Sequence, residues 1–279
     1  MAAADRLILL TGASGFVGRQ ILRELNERGL KVRIIVRTGS QDKIAPAASV
    51  ESIAETQDLW SEGADWCAQA CCDVDTVIHA AWYAEPGQYL LSPKNADCLA
   101  GTLRLAQGAM RGGVRRFVGL GTCFEYAHSD VPLSIEAPLH PASPYAVAKA
   151  DTFHALSKLL PQAGVAFVWA RLFYLYGEGE DSRRLVPYLR SRLSAGEPAD
   201  LGSGLHLRDY MDVRDAARMI VDVALGTVQG PVNICSGKGV SIRELAERIA
   251  DEYGRRDLLR FGARPDNAAD SPSIVGLRA

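Results

Sequence analysis

Two side chains four residues apart carry the most specific chemistry in this sequence. The run Ser143-Pro144-Tyr145-Ala146-Val147-Ala148-Lys149 sets a phenol and an ammonium at i and i+4, which share a face if the segment is helical. A cation beside a phenol favours the phenolate and lowers the phenol's pKa. A tyrosine tuned in this way can give a proton to an oxygen forming at a carbonyl, or take one from an alcohol. A Tyr-xxx-Lys pair alone is also what a surface aromatic beside a solvated lysine looks like, so its context matters. Thr122, at the end of Gly119-Leu120-Gly121-Thr122, supplies a hydroxyl 23 residues before Tyr145. It can hydrogen-bond the same substrate oxygen. Thr122, Tyr145 and Lys149 are the candidate catalytic residues.

A second motif supplies a reason for such chemistry. Thr11-Gly12-Ala13-Ser14-Gly15-Phe16-Val17-Gly18 follows the first apolar run and opens the first helical one, with the spacing GxxGxxG. Gly12 permits a sharp turn, Gly15 lets a pyrophosphate approach the helix N-terminus, and Gly18 lets helix and strand lie close. With Ser14, Phe16 and Val17 they form a candidate dinucleotide turn. Lys149 then gains a second role, holding the nicotinamide ribose. The next apolar run ends Ile34-Ile35-Val36-Arg37-Thr38. An NAD site usually places a carboxylate there for the ribose hydroxyls. Arg37 instead offers a guanidinium to the 2′-phosphate of NADP(H), with NAD(H) still possible. Asp58 and Leu59 are placed to flank the adenine, and Ala80 and Ala81 to let the cofactor cross the sheet edge. His79 reads as a packed histidine.

These groups need a frame, and the hydropathy pattern provides one. Strand-like runs at Arg6–Leu10, Val32–Val36, Val50–Ala54, Thr76–Ala80, Arg116–Gly121 and Val165–Ala170 alternate with helical periods at Gly15–Arg28, Ser61–Cys72, Leu91–Arg111 and Pro144–Leu160. Ser61 is the expected cap of the second helix. This alternation predicts an α/β fold with a doubly wound parallel sheet. Gly, Pro and charged residues break the pattern from Tyr176 to Gly204. It resumes with a helix over Val213–Leu225, a strand at Val232–Cys235 and a helix over Ile242–Tyr253, and Arg255–Ala279 reads as loop. The expected division is a dinucleotide domain over 1–171, with 207–236 returning to it, and a smaller C-terminal substrate-binding lobe from 172–206 and 237–279.

Composition narrows the function class. With 31 Lys and Arg against 33 Asp and Glu, the net charge of −2 gives no footprint for nucleic acid. No apolar run reaches the ~18–20 residues of a membrane helix, and the first ten residues lack the long apolar stretch and cleavage site of a secretory signal. The six cysteines show no CxxC pair and no zinc spacing, so reduced thiols, no metal and a cytoplasmic location are expected.

The chain resembles the extended short-chain dehydrogenase/reductases, a family of nucleotide-sugar epimerases, dehydratases and reductases built on a Rossmann-type sheet. The likeness is carried by TGASGFVG, GTCFEY, SPYAVAK, RLFYLYG, LHLRDYMDVRDAA and VNICSGKGVSIRELA. It implies Thr122, Tyr145 and Lys149 as the catalytic triad, with Arg171 ending the sixth strand and Tyr176-Gly177 near the nicotinamide. It also implies Arg208, and a second arginine, Arg264, on the diphosphate of a nucleotide-sugar. A homodimer through Leu91–Arg111 and Pro144–Leu160 is implied too, with Leu99, Leu103, Ala106, Met110, Phe153, Ala155 and Leu156 as its apolar surface. Departures narrow the reaction. Dehydratases of the family carry Asp-Glu after the catalytic hydroxyl residue, where this chain has Cys123 and Phe124. The epimerase-reductases have a Cys two residues after it and a His on the later loop; here Phe124 and the His-free Glu180-Asp181-Ser182-Arg183-Arg184 stand there. Cys98 replaces the Asn usual in the long helix, with Asn95 one turn earlier. The usual C-terminal helix has no counterpart before Ala279, which bears on closure of the substrate lobe. What remains is an NADP(H)-dependent reduction of a nucleotide-linked 4-keto-6-deoxyhexose. Two other readings stay open: a 4-epimerase with bound NAD, and a protein that senses NADP without turnover.

Overall fold

The central strands are apolar along their whole length because both faces of their sheet are covered. In the computed structural model, which describes residues 6–44, 47–267 and 270–278, the order along the chain is β1 (Leu7–Thr11), α1 (Phe16–Glu27), β2 (Lys31–Arg37), β3 (Val50–Thr56), α2 (Ala64–Ala70), β4 (Thr76–His79), α3 (Lys94–Arg111), β5 (Arg116–Thr122), α4 (Pro144–Gln162), β6 (Ala166–Leu172), β7 (Tyr174–Tyr176), α5 (Leu185–Ser194), β8 (Ala199–Asp200), β9 (Leu207–Asp212), α6 (Val213–Leu225), β10 (Gly230–Ile234), β11 (Gly239–Ser241), α7 (Ile242–Tyr253), β12 (Leu259–Arg260) and β13 (Ser273–Ile274). Seven strands form one parallel sheet in the order β10-β6-β5-β4-β1-β2-β3. This is the Rossmann-type α/β fold that the alternation predicts.

The two-residue period of the strands divides the core. Ile8, Leu10, Val118, Val168 and Ala170 face α1 and α6, where Ile21, Leu25, Ala217 and Ile220 complete one cluster. Leu9, Val77, Phe117, Phe167 and Trp169 face the other way, onto Cys67 of α2, Leu105 and Ala109 of α3, and Leu156 and Leu160 of α4. The chain runs outward from β1 to β2 and β3, then returns to place β4 on the other side of β1. That reversal opens a crevice at the carboxyl ends of β1 and β4, where ligands of such sheets bind.

Several elements differ from the sequence reading. The second helix begins at Ala64 with Gly63 at its N-cap; Ser61 lies in the preceding turn, where its hydroxyl donates to the Asp58 carbonyl at 2.9 Å. The interrupted stretch after Tyr176 contains α5, which packs Val186, Leu189 and Leu193 against Ala246, Ile249 and Ala250 of α7. Strand β9 pairs with β7, β11 and β13 in a second, four-stranded sheet; α6 and β10 make the return to the main one. The C-terminal stretch contributes β12 and β13. Ala106 and Leu156, expected at a dimer surface, are fully buried within the chain, because they face the sheet.

Candidate active site

The first helix begins with its N–H groups unclaimed. Gly15 is the N-cap of α1, no side chain caps it, and its first turn holds no carboxylate. Orphan N–H groups and the helix dipole together favour a phosphate there. Gly12 has φ of 73°, and a Cβ on it would lie 2.7 Å from the Ala81 nitrogen, so only glycine lets this turn pass the end of β4. A Cβ at Gly18 would meet the Gly12 carbonyl oxygen at 2.0 Å, which explains the close seating of α1 on β1. Beside this turn lies a cavity of about 520 Å³ lined by Ser14, Arg37, Lys43, Asp58, Leu59 and Ala81, among others. It meets a second cavity of about 540 Å³ at Gly12, Gly15, Ala80 and Trp82, and Phe16, Val17, Gly18, Thr122, Tyr145 and Lys149 line that second one. The residues present therefore suit a dinucleotide, its diphosphate at α1 and its two ends in the two cavities. The Asp58 carboxylate accepts from the Trp60 N–H at 3.1 Å.

Helix α4 starts where Ser143 caps it, its hydroxyl oxygen accepting from the Ala146 N–H at 3.2 Å, with Pro144 in the first turn. That start sets the phase that carries Tyr145 and Lys149 to the cleft. The Lys149 Nζ donates to the Leu120 carbonyl at 2.6 Å. It sits 3.7 Å from the centre of the Trp82 ring and 6.0 Å from that of Tyr145. Burial pulls the Lys149 pKa down to about 7, against the upward pull of Glu125 and Cys98. The phenol moves the other way from the sequence expectation. Burial pushes the Tyr145 pKa well above its ordinary value, Tyr89 adds to this, and only the contact with Thr122 opposes it. The lysine is aimed at Leu120 and Trp82, so its charge does not make a phenolate here. Tyr145 keeps its proton, the state required of a proton donor. Its ring packs edge-on to Tyr89 and Trp82, at 4.8 and 6.4 Å.

His79 bridges Thr11 and Thr102 at 2.8 and 2.9 Å. Burial, with the Lys149 charge, lowers its pKa to about 3, so it is a neutral, packed histidine. Burial raises the Cys123 thiol to about 12, which leaves it no base. Asn95 is taken up by structure: it accepts from the Trp82 indole at 2.9 Å and donates to the Tyr89 carbonyl at 2.7 Å.

Beneath Thr122 lies a polar group the sequence reading did not assign. Glu125 has no exposed surface and pairs with Arg171, 2.8 Å away and 1% exposed. Trp169 donates its indole N–H to both carboxylate oxygens at 3.0 Å. The signal was a charged residue inside the buried strand Val168-Trp169-Ala170-Arg171-Leu172.

The two arginines expected at a diphosphate lie elsewhere than the cleft wall. Arg208 is buried, 2.8 Å from Asp270, and donates to the Leu207 carbonyl. Arg264 is exposed and donates to the Tyr188 hydroxyl at 3.2 Å. The wall opposite Tyr145 is made instead by Glu180, Arg184, Tyr174 and Tyr210. Burial lifts the Glu180 carboxyl to about 7. Among the described residues no group of His, Cys, Asp and Glu is placed to hold a metal, the six cysteines are unpaired, and no helix is long and apolar enough to cross a membrane.

Comparison with known proteins gives a consistent picture. The model of a family described as the NAD dependent epimerase/dehydratase family matches residues 8–235. The chain is 24% identical to dTDP-6-deoxy-L-talose 4-dehydrogenase (NAD(+)) of Aggregatibacter actinomycetemcomitans, over 97% of this chain and 99% of that protein. It is 26% identical to dTDP-4-dehydro-6-deoxy-D-allose reductase of Streptomyces sp, over 97% and 87%. Its fold is similar to that of UDP-N-acetylglucosamine 4-epimerase from Methanobrevibacter ruminantium M1, with a TM-score of 0.86 and 23% identity, covering 99% of this chain and 90% of that one.

The buried lysine has a cost that can be measured. Its folded pKa of about 7 lies below the ordinary 10.5. Between those values the unfolded chain binds more protons, so the lysine's contribution to stability rises with pH. At lower pH the penalty for burying the charge is complete. Lys149→Met should therefore raise the thermal midpoint more at about pH 6 than at about pH 9, while abolishing turnover. A pH-independent difference between variant and wild type would contradict the buried charge.

Proposed function

The chain belongs to the NAD-dependent epimerase/dehydratase family, and from that premise we propose that it is an NADP(H)-dependent reductase of a nucleotide-linked 4-keto-6-deoxyhexose, working at C4. The family makes it an NAD(P)-dependent enzyme of the extended short-chain dehydrogenase/reductase type. The observation that carries the finer reading is the meeting of Thr122, Tyr145 and Lys149 in one cleft that opens onto the dinucleotide cavity. Cys123 and Phe124 stand beside them where dehydration would need acids and bases. The names of the two relatives, a 4-dehydrogenase and a 4-keto-sugar reductase, support oxidation–reduction at the same carbon.

A bound reduced nicotinamide supplies the hydride. The protein's own groups manage the oxygen. The Tyr145 phenol, kept protonated by its surroundings, gives its proton to the oxygen forming at C4. The Thr122 hydroxyl, whose oxygen already accepts from the Phe124 N–H at 3.3 Å, has its own proton left to donate to that oxygen. Lys149 holds the ribose. The lobe of β7, α5, β9, β11 and α7 provides the sugar side of the cleft through Glu180, Arg184 and Tyr210. Strand β2 ends at the exposed Arg37, where neither position 36 nor 37 is a carboxylate, which favours the 2′-phosphate of NADP. Helices α3 and α4 pair on one side of the sheet, and their half-buried Leu99, Leu103, Met110, Phe153 and Ala155 form the surface for a homodimer.

Three measurements follow. Removing the phenol oxygen by Tyr145→Phe should lower kcat on a 4-keto nucleotide-sugar by roughly 10²–10⁴-fold and leave NADPH affinity nearly unchanged; near-wild-type turnover would show that the proton comes from elsewhere. A charge-assisted hydrogen bond from Arg37, at about 1.5–3 kcal/mol, should make NADPH bind roughly 10- to 150-fold tighter than NADH. Arg37→Ala should erase the difference, read from the fluorescence of Trp60 and Trp82, which line the cavity. NADH binding as tight as NADPH in the wild type would favour the 4-epimerase reading with bound NAD. Light scattering at micromolar concentration should give the mass of two chains, and a monomer there would remove the α3–α4 interface.

A further inference from the structure

The residues beneath the cleft floor are arranged around one carboxylate. Glu125 closes the short turn Cys123–Glu125 that follows β5. It accepts the Thr122 backbone N–H at 2.8 Å, the Trp169 indole at 3.0 Å and the Arg171 Nε at 2.8 Å. Arg171 in turn donates to the Tyr126 hydroxyl at 3.1 Å, Tyr126 donates to Asn233 at 2.7 Å, and Asn233 donates to the Leu133 carbonyl at 2.8 Å. Strand register makes this possible, because Gly121, Arg171 and Asn233 lie side by side on β5, β6 and β10. A Cβ on Gly121 would stand 2.3 Å from the Trp169 Nε1 and 2.6 Å from a Glu125 oxygen. The position before Thr122 is thus bare so that the clamp can close over it.

Stability does not account for such a group. Two charges taken from water at this depth gain little over well-packed apolar residues, and breaking one of them is costly. What a fully satisfied network does supply is a fixed geometry. Resting on the reading that Thr122 and Tyr145 hold the substrate oxygen, we propose that Glu125 is the positioning residue of this site, fixing the Thr122 peptide so that its hydroxyl meets Tyr145, and setting a carboxylate on the Trp169 ring that Lys149 also meets.

The second part has a clear electrostatic setting. The titratable groups around the Lys149 ammonium are Glu125 after β5, His79 on β4, Cys98 on α3 and Tyr145 on α4. His79 is neutral above about pH 3, burial holds the Cys98 thiol at about 11, and the phenol lies higher still. Glu125 and Lys149 meet the same Trp169 ring, the carboxylate accepting its N–H at 3.0 Å and the ammonium lying 5.8 Å from its centre, and the carboxylate favours the lysine's charge.

The test is a double-mutant cycle in the full chain with NADPH and dTDP-4-dehydro-6-deoxy-D-allose, the ketone named for one relative, together with NADPH binding against pH. Glu125→Gln keeps size and shape but removes the charge. It should lower kcat by about 10²-fold, the scale of a small misplacement of a reacting group, with the KM for NADPH little changed at low pH. In a Thr122→Val background the same change should cost less than about threefold, since residues acting through one another are not additive. The alkaline midpoint of NADPH binding should move to lower pH, because the lysine loses its counter-charge. Fully additive losses of kcat, or an unmoved binding midpoint, would overturn the proposal. If Glu125→Gln fails to fold, Trp169→Phe removes one donor from the carboxylate but leaves its charge, and should lower kcat by a smaller factor, with less loss in a Thr122→Val background; an unchanged kcat would overturn the proposal. A wild type that binds NADPH but does not reduce this ketone would count against the functional reading, and the binding midpoint alone would then decide the role of Glu125.

Discussion

The ion pair between Glu125 and Arg171 locks together the carboxyl ends of two strands that register sets side by side. It ties the carboxyl end of β5 to that of β6, and through Tyr126 and Asn233 it reaches β10 and the segment around Leu133. A buried pair of this kind tolerates no missing partner, since a buried group left unpaired costs more than a typical hydrogen bond contributes. The consequence is visible in the neighbours. Gly119 and Gly121 carry no side chain because the Trp169 indole crosses them, and Thr122 takes an extended conformation at the end of its strand, with φ of −147°. The floor of the cleft is fully hydrogen-bonded for these reasons, and helix α4 docks on it to bring Tyr145 into place.

The same floor explains an apparent conflict of charges. Lys149 is buried among Trp82, Trp169 and Tyr145 with one carbonyl as its hydrogen-bond acceptor. Desolvation works against its charge and Glu125 works for it. The phenol beside it is held neutral by the same desolvation. The proposed delivery of a proton by Tyr145 and holding of a ribose by Lys149 need a neutral phenol and a charged lysine within one helical turn. Desolvation keeps the phenol neutral, and the pull of Glu125 opposes that same desolvation at the lysine, at some expense in stability.

The parts of this arrangement that were legible in the sequence are those fixed by local geometry. The glycine turn could be read because a positive φ at Gly12 and a bare Gly18 are demands of adjacent residues. Tyr145 and Lys149 could be placed because a helix fixes i and i+4, and Ser143-Pro144 marks where that helix starts. The cap at Ser61 misled, because Asp58 draws that serine into a turn and leaves Gly63 to begin the helix. Helix α5 was hidden by Pro187 and the charged residues around it, although its apolar face needs only Val186, Leu189 and Leu193. The direction of the Tyr145 shift was out of reach, since it depends on how deeply Trp82 and Tyr89 enclose the ring. Glu125 and Arg171 are 46 residues apart, and only strand register brings them together. The positions of Arg208 and Arg264 follow from partners, Asp270 and Tyr188, that no spacing rule connects to them.

Hydride transfer to C4 of the sugar is the proposed reaction, and the fate of the transferred hydrogen tests it most directly. NADPH carrying deuterium at its transferable position, incubated with the chain and dTDP-4-dehydro-6-deoxy-D-allose, should yield a 4-hydroxy sugar bearing the deuterium at C4, with one NADP formed for each sugar reduced. Deuterium that stays on the cofactor, or label at any other sugar carbon, would contradict it.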